Sequence, residues 1–235
     1  MKFLNIVLFS QEKHYQHMKQ SMEMYYKTFS NLRTIYCMND PDLAQDCCLK
    51  EDIFYMKDKE NYIPAVLTKT IKTFTYIIQN IDLSEFDYII RSNISTIIDF
   101  HELEIELSKH PVDFYAGGNI MELQWVGGGI EDSKHFGTLF AQGSGIVFTK
   151  ETVQFIVKNQ HLINYKVVDD VSLAIFLKEN WPNYKPPSCV GINKFLTMPP
   201  ILAKYTEISK IKNVINEFVS KKYIFYRTKR TKFCI

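Results

Sequence analysis

The chain has 235 residues, of which 46% are hydrophobic and 23% charged, with 28 basic against 26 acidic side chains and a formal net charge of +2. That length suits one large α/β domain, or one domain with a short tail, and the near balance of charge excludes a chain that binds nucleic acid over its whole surface. No apolar run approaches the ~20 residues of a membrane span, and an aromatic share of 14% favours a large core and a cleft with flat walls.

The opening MKFLNIVLFSQ carries one lysine and a short apolar run. It lacks a long apolar region and a small-residue cleavage site, so it reads as a first strand, over Phe3–Phe9, and not as a signal peptide. In Tyr15–Phe29, Met18, Met22, Tyr25, Tyr26 and Phe29 fall at helical spacing, the pattern of a core-packed helix. His14 and His17 share that helix; with no third ligand in view they read as surface residues. Arg33–Met38 is a second strand, closed by the turn signal Asn39-Asp40-Pro41, and Ile53–Met56 a short third. Pro64 opens a helix over Ala65–Ile78, since a first-turn residue needs no N–H. Phe86–Ile90 is a compact apolar strand followed at once by the polar run Arg91–Thr96. A helix over His101–Lys109, a strand at Phe114–Ala116, a strand at Ile146–Phe148 and a helix over Lys150–Asn159 come next. Nearly all the glycines lie between Gly117 and Gly145, which makes that stretch rich in loops. Asp169-Asp170 precede a helix over Val171–Glu179, ended by Pro182, Pro186 and Pro187. Strands alternating with helices indicate an α/β sandwich on a mainly parallel sheet.

The cysteines are Cys37, Cys47, Cys48, Cys189 and Cys234, an odd number without a CxxC. They imply neither a disulfide framework nor a zinc site, and are expected to be free thiols in a reducing compartment, hence cytoplasmic. The last residues concentrate Lys221, Lys222, Arg227, Lys229, Arg230 and Lys232 with no acid among them. This basic tail, from about residue 208 to 235, is either a solvated terminus or a holder of phosphate, RNA or an anionic membrane surface.

Ligands of an open α/β sheet bind beyond the carboxyl ends of its strands. Ser10-Gln11, Asn39-Asp40, Arg91–Thr96, Gly117-Gly118 and Gly143–Gly145 are therefore the candidate lining, and all are polar or glycine. Arg91-Ser92-Asn93-Ile94-Ser95 offers a cation and short hydrogen-bonding side chains to a diphosphate, or else is a strand end that caps the next element. Asn93-Ile94-Ser95 also matches a glycosylation sequon, by accident in a cytosolic chain. Gln142-Gly143-Ser144-Gly145 lets backbone approach a ligand, but lacks the spacing of a dinucleotide fingerprint, and no P-loop occurs. Asp169-Asp170 is a helix cap or a general base. Lys69 is a solvated helix lysine unless its face looks into the cleft.

The order of these pieces resembles the GT-A glycosyltransferases, most of all the β-1,3-galactosyltransferase and Fringe group. The matching stretches are Asn61-Tyr62 with Leu67-Thr68-Lys69-Thr70, then Asp87-Tyr88-Ile89-Ile90-Arg91-Ser92-Asn93, Tyr115-Ala116-Gly117-Gly118, Gln142-Gly143-Ser144-Gly145-Ile146-Val147-Phe148 and Val168-Asp169-Asp170-Val171. They run from about residue 3 to residue 190. Small viral proteins with a reduced GT-A domain are similar, and the Lys/Ile/Asn-rich composition suits such an origin and a host cytoplasm.

The resemblance implies a single GT-A domain over 1–235 that moves a sugar from a UDP-sugar to a hydroxyl of a glycan or glycoprotein, with inversion. Ser10 and Gln11 would lie near the base, and Lys69 and Arg91 at the diphosphate. Ser92, Asn93 and Ser95 would line the donor site, and Gly143, Ser144 and Gly145 would lie against the donor sugar. Gly117, Gly118 and Trp125 would form the acceptor side, and Asp169 or Asp170 would act as the base. The aspartate-x-aspartate metal motif of the family falls on Asn93 and Ser95, both neutral, and no histidine follows His161 to complete a metal site. Affinity for Mn²⁺ or Mg²⁺ is expected to drop, leaving Arg91 and Lys69 to neutralise the leaving diphosphate. The alternatives are a module that binds a nucleotide-sugar or glycan without chemistry and, ranked last for want of carboxylates near the first strand, a nucleotidyltransferase.

Overall fold

β1 (Phe3–Leu8) is buried along its whole length, as a strand with parallel neighbours on both sides and helices on both faces must be. A computed structural model of the protein describes residues 1–197, 216 and 219–227. After β1 come α1 (Lys13–Tyr26), β2 (Leu32–Asn39), β3 (Cys47–Lys50), β4 (Ile53–Met56), α2 (Ala65–Asn80), β5 (Tyr88–Asn93), β6 (Thr96–Ile98) and α3 (Phe100–Lys109). They are followed by β7 (Tyr115–Gly117), β8 (Ile120–Glu122), β9 (Leu139–Ala141), β10 (Ile146–Phe148), α4 (Lys150–Lys158), α5 (Asp169–Asn180), β11 (Ser188–Cys189), β12 (Phe195–Thr197) and β13 (Phe225–Arg227). The central sheet has eight strands in the order β11-β7-β10-β5-β1-β2-β4-β3. β1 is parallel to β2 and β5, and β4 to β2. β10 runs antiparallel between β5 and β7, and β3 antiparallel to β4, so the sheet is mixed but mainly parallel.

Side chains alternate along each strand and feed two cores. Phe3, Val7, Tyr88 and Ile90 pack with Met22 and Tyr26 of α1 and with Phe100, Leu103 and Leu107 of α3. Leu4, Ile6, Leu8 and Ile89 pack on the other face with Leu67, Ile71 and Phe74 of α2, Val153 and Ile156 of α4, and Leu173 and Phe176 of α5. α5 is buried almost all round, because its far side meets a third cluster, Leu123, Ile130, Phe140, Val167 and Val168, beneath the β8–β9 hairpin. That sandwiching sets α5 between the central sheet and the β8–β9 hairpin. None of the helices among the described residues is long and apolar enough to cross a membrane.

One local reading is corrected. The strand expected at Phe86–Ile90 begins at Tyr88 and continues through Asn93. Ile6, Val7 and Leu8 of β1 pair with Arg91, Ser92 and Asn93, so the parallel ladder carries these polar residues as strand, not loop. The tail, which the sequence leaves unassigned, carries a strand. Residues 225–227 return as β13, which pairs antiparallel with β6 and parallel with β12 in a small second sheet. Lys229, Arg230, Lys232 and Cys234 lie outside the described residues.

Candidate functional site

Arg91 occupies the β5 face that looks toward α5, and it is fully buried. A guanidinium cannot stay there unpaired. Its Nη2 donates to Asp169 Oδ2 and its Nη1 to the Gly143 carbonyl. The contact explains Gly143: a Cβ there would run into Arg91 Nη1. Asp169 is thereby committed to a buried ion pair and is no helix cap; the residue before α5 is Val168, whose side chain makes no capping bond.

Asp170, one residue on, is half-buried and free of that pair. Its Oδ2 accepts from the Gly143 N–H at 3.0 Å and its Oδ1 from the Val171 N–H at 3.0 Å. Burial, and then the negative charge of Asp169, push its carboxyl up to about 6, against the pull of the Gly143 N–H and of Arg91. The Arg227 guanidinium from β13 and the Tyr62 hydroxyl lie in the same field. Asp170 acts on both, after burial itself, which lowers the Arg227 pKa and raises that of Tyr62. Tyr62 is exposed at 66%, a flat ring at the rim beside the carboxylate.

Lys69 turns inward from α2, almost fully buried. Its Nζ donates to Glu60 Oε1 at 2.6 Å and to the Phe9 carbonyl at 2.9 Å. Glu60 also accepts from the Asn39 N–H at 3.2 Å, so the cluster ties the ends of β1 and β2 to α2. Burial lowers the Lys69 pKa, with Glu60 opposing. Ser10, at the end of β1, has a shielded Oγ without a hydrogen bond among the described residues, as has Ser92; Gln11 is exposed. Ser144 is fully buried, and its Oγ donates to Gln142 Oε1 at 3.2 Å.

The glycines expected on the donor and acceptor sides have protein neighbours. The Phe225 ring of β13 packs against both Gly118 and Gly145, where any Cβ would overlap it, and Gly117 lies against Ala141. Trp125 is 38% exposed, set edge-on to Phe140 with ring centroids 5.7 Å apart. Its loop is joined to the entry of α5, where Val168 N–H donates to the Gly128 carbonyl at 2.8 Å.

No protein-family model matches the chain, and no curated protein matches it either. Solved structures do. A glycosyltransferase involved in glycosylation of the major capsid of PBCV-1 superposes with a TM-score of 0.50 at 8% identity, over 97% of this chain and 92% of that one. The galactosyltransferase LgtC, in complex with donor and acceptor sugar analogues, gives a TM-score of 0.44 at 7% identity, over 97% and 87%. The fold is GT-A. At such low identity the likeness establishes the GT-A architecture alone, and the chemistry has to be argued from this chain's own residues.

GT-A enzymes often use a divalent cation, and the residues here do not fit one. Asn93 ends β5 and Ser95 lies in the turn that follows, held to β1 by the Ile94 N–H bond to the Leu8 carbonyl at 2.9 Å. Both are neutral ligands where a hard cation prefers carboxylates. Among the described residues no group of three His, Cys, Asp or Glu could hold a metal. The nearby carboxylates are engaged: Asp169 by Arg91, Asp170 by two backbone N–H groups, with Arg227 beside them. Arg91 is neutralised by Asp169, so a divalent ion would meet the Arg227 guanidinium beside the Asp170 carboxylate.

Sequence reasoning brought Arg91, Gly143, Asp169 and Asp170 to the candidate site, and the structure groups them around one another. It did not find Arg227, which looked like one more cation of a basic tail, nor Glu60, the partner of Lys69. Tyr62 was visible only as part of a motif. A signal for Arg227 did exist: Tyr223–Tyr226 is an apolar, aromatic run inside the charged tail, the mark of a strand.

Proposed function

We propose that the chain is a glycosyltransferase with a single GT-A domain over 1–235, the basic tail from about residue 208 included. It transfers a sugar from a UDP-sugar donor to a hydroxyl of a glycan or glycoprotein, with inversion. Asp170 is the base and carries the reading: a half-buried carboxylate at the carboxyl end of the sheet, held in place by the Gly143 N–H and raised to about 6. A proton acceptor is most effective with a pKa near the working pH. Asp170 takes the proton of the acceptor hydroxyl as its oxygen bonds to the anomeric carbon. The bond from that carbon to the diphosphate oxygen breaks on the opposite face, and the nucleoside diphosphate leaves with the electron pair. Asp169 positions the base by fixing the first turn of α5 through Arg91. Tyr62 and Trp125 offer aromatic faces on which sugar rings can stack.

The deciding experiment is thermal stabilisation of the full chain by a panel of nucleotides and nucleotide-sugars, followed by a transfer assay on the donor that stabilises it. The expected result is a selective shift by UDP or a UDP-sugar, and transfer that Asp170→Ala abolishes with donor binding kept. Absence of a shift with every nucleotide would remove the donor site. A shift without transfer or hydrolysis would make the protein a binding module on this fold.

A further inference from the structure

We propose that Arg227 holds the phosphates of a nucleoside diphosphate in this site, in the place that a divalent cation would otherwise take, so that the donor binds without metal. The inference rests on the donor reading above and names the group that meets the diphosphate.

Register is the first argument. β13 runs antiparallel to β6, with Phe225 opposite Ile98, Tyr226 opposite Ile97 and Arg227 opposite Thr96. β6 begins just past the Asn93–Ser95 turn, so the strand delivers Arg227 beside the position that carries the metal motif in the resembling family. Side chains alternate along a strand, which sets Arg227 on the same side as Phe225. The Phe225 ring lies on Gly118 and Gly145. Gly145 closes the turn whose Gly143 N–H holds Asp170. Arg227 therefore stands over the same strip of backbone as the candidate base.

The second argument is which cations are free to meet a ligand. The two expected from sequence are both used inside the protein: Lys69 on Glu60 and the Phe9 carbonyl, Arg91 on Asp169 and the Gly143 carbonyl. Arg227 is half-buried and, among the described residues, makes no ion pair or hydrogen bond, although it lies within the fields of Asp170, Tyr62, Arg91 and Asp169. Its planar fork of N–H donors matches adjacent phosphate oxygens. Partial burial strengthens such a contact, and it asks nothing of Asn93 and Ser95.

The test uses the full chain and isothermal calorimetry with UDP, inorganic pyrophosphate and uridine, in EDTA and again with Mn²⁺. Wild type is expected to bind UDP and pyrophosphate equally well under both conditions. Arg227→Met and Arg227→Gln should each weaken both about ten- to a hundredfold, the worth of a charged hydrogen-bonding contact, and leave uridine binding unchanged. Arg227→Lys should recover part of the loss. Arg227→Gln keeps length and polarity, so it reports on charge even if the methionine variant folds poorly. The proposal is overturned if either neutral variant binds pyrophosphate as wild type does, if uridine and pyrophosphate weaken together, or if wild type needs Mn²⁺. Failure of wild type to bind any nucleoside diphosphate would remove the donor reading as well, and so is distinct from an Arg227 variant without effect.

Discussion

Asp169 and Asp170 are neighbours on the first turn of one helix, yet their surroundings divide them. Asp169 neutralises a fully buried guanidinium, so Asp169→Ala strands that charge. A loss of about 3–5 kcal/mol is expected, the usual result of breaking a buried pair, read as a lower midpoint in urea. Loss of activity in that variant would say little about catalysis. Asp170→Asn is the cleaner probe. The folded protein holds the Asp170 carboxyl at about 6 against an ordinary 3.8, with burial the main cause. The folded state thus keeps its proton where the unfolded chain has lost it. Wild-type stability therefore falls as pH rises from about 4 to about 6. Asp170→Asn should remove that slope and gain on the order of 1–2 kcal/mol at neutral pH, seen as a higher melting temperature, while transfer is lost. The acid pair was legible in the sequence, but its division of roles was not. The partner of Asp169 lies 78 residues upstream, and no local spacing announces a contact of that range.

At the level of elements, β13 is joined to the site by the fit of one ring against two glycines. The space that Gly145 leaves is filled by Phe225, and a Cβ there would come within 2.5 Å of the ring. Gly145→Ala is expected to cost about 1–3 kcal/mol through overpacking and, by displacing β13, to weaken pyrophosphate binding in step with Arg227→Met. Phe225→Leu should be harmful alone and partly corrective in the Gly145→Ala background, a coupling that a double-mutant cycle measures. The long apolar strands and the helices were readable from pattern: Ile53–Met56 and Ile146–Phe148 match β4 and β10. β6 was not, and β13 was signalled only by the Tyr223–Tyr226 run. Each has three residues, and what makes them strands is pairing with each other across most of the chain. Periodicity carries no information about a partner that distant. β5 was read short for a related reason, since its polar end is strand only because β1 lies beside it.

Across the whole molecule, helices cover both faces of the central sheet and shield its middle more completely than its edges. The thiols report this. Cys37 is fully buried on β2, and burial pushes its thiol up to about 12, with Thr73, Lys69 and Arg91 pulling the other way. Cys47 on β3 and Cys189 on β11 are exposed at opposite edges of the sheet. Alkylation followed by mass spectrometry should label Cys47 and Cys189 promptly and Cys37 only as fast as the protein unfolds. Equal labelling of Cys37 would mean that the sheet opens in the native state. The alternation of strands and helices told the architecture in advance, because each element obeys its own local pattern. The candidate site was not foreseeable as a whole, because its residues are spread along the sequence from Tyr62 to Arg227. That distribution bears on how the protein is made. A ribosome polymerises the whole central sheet, through Cys189, before it adds Phe225 or Arg227. The nascent chain can thus pack its framework early, while its grip on phosphate arrives only when the last described strand emerges and docks.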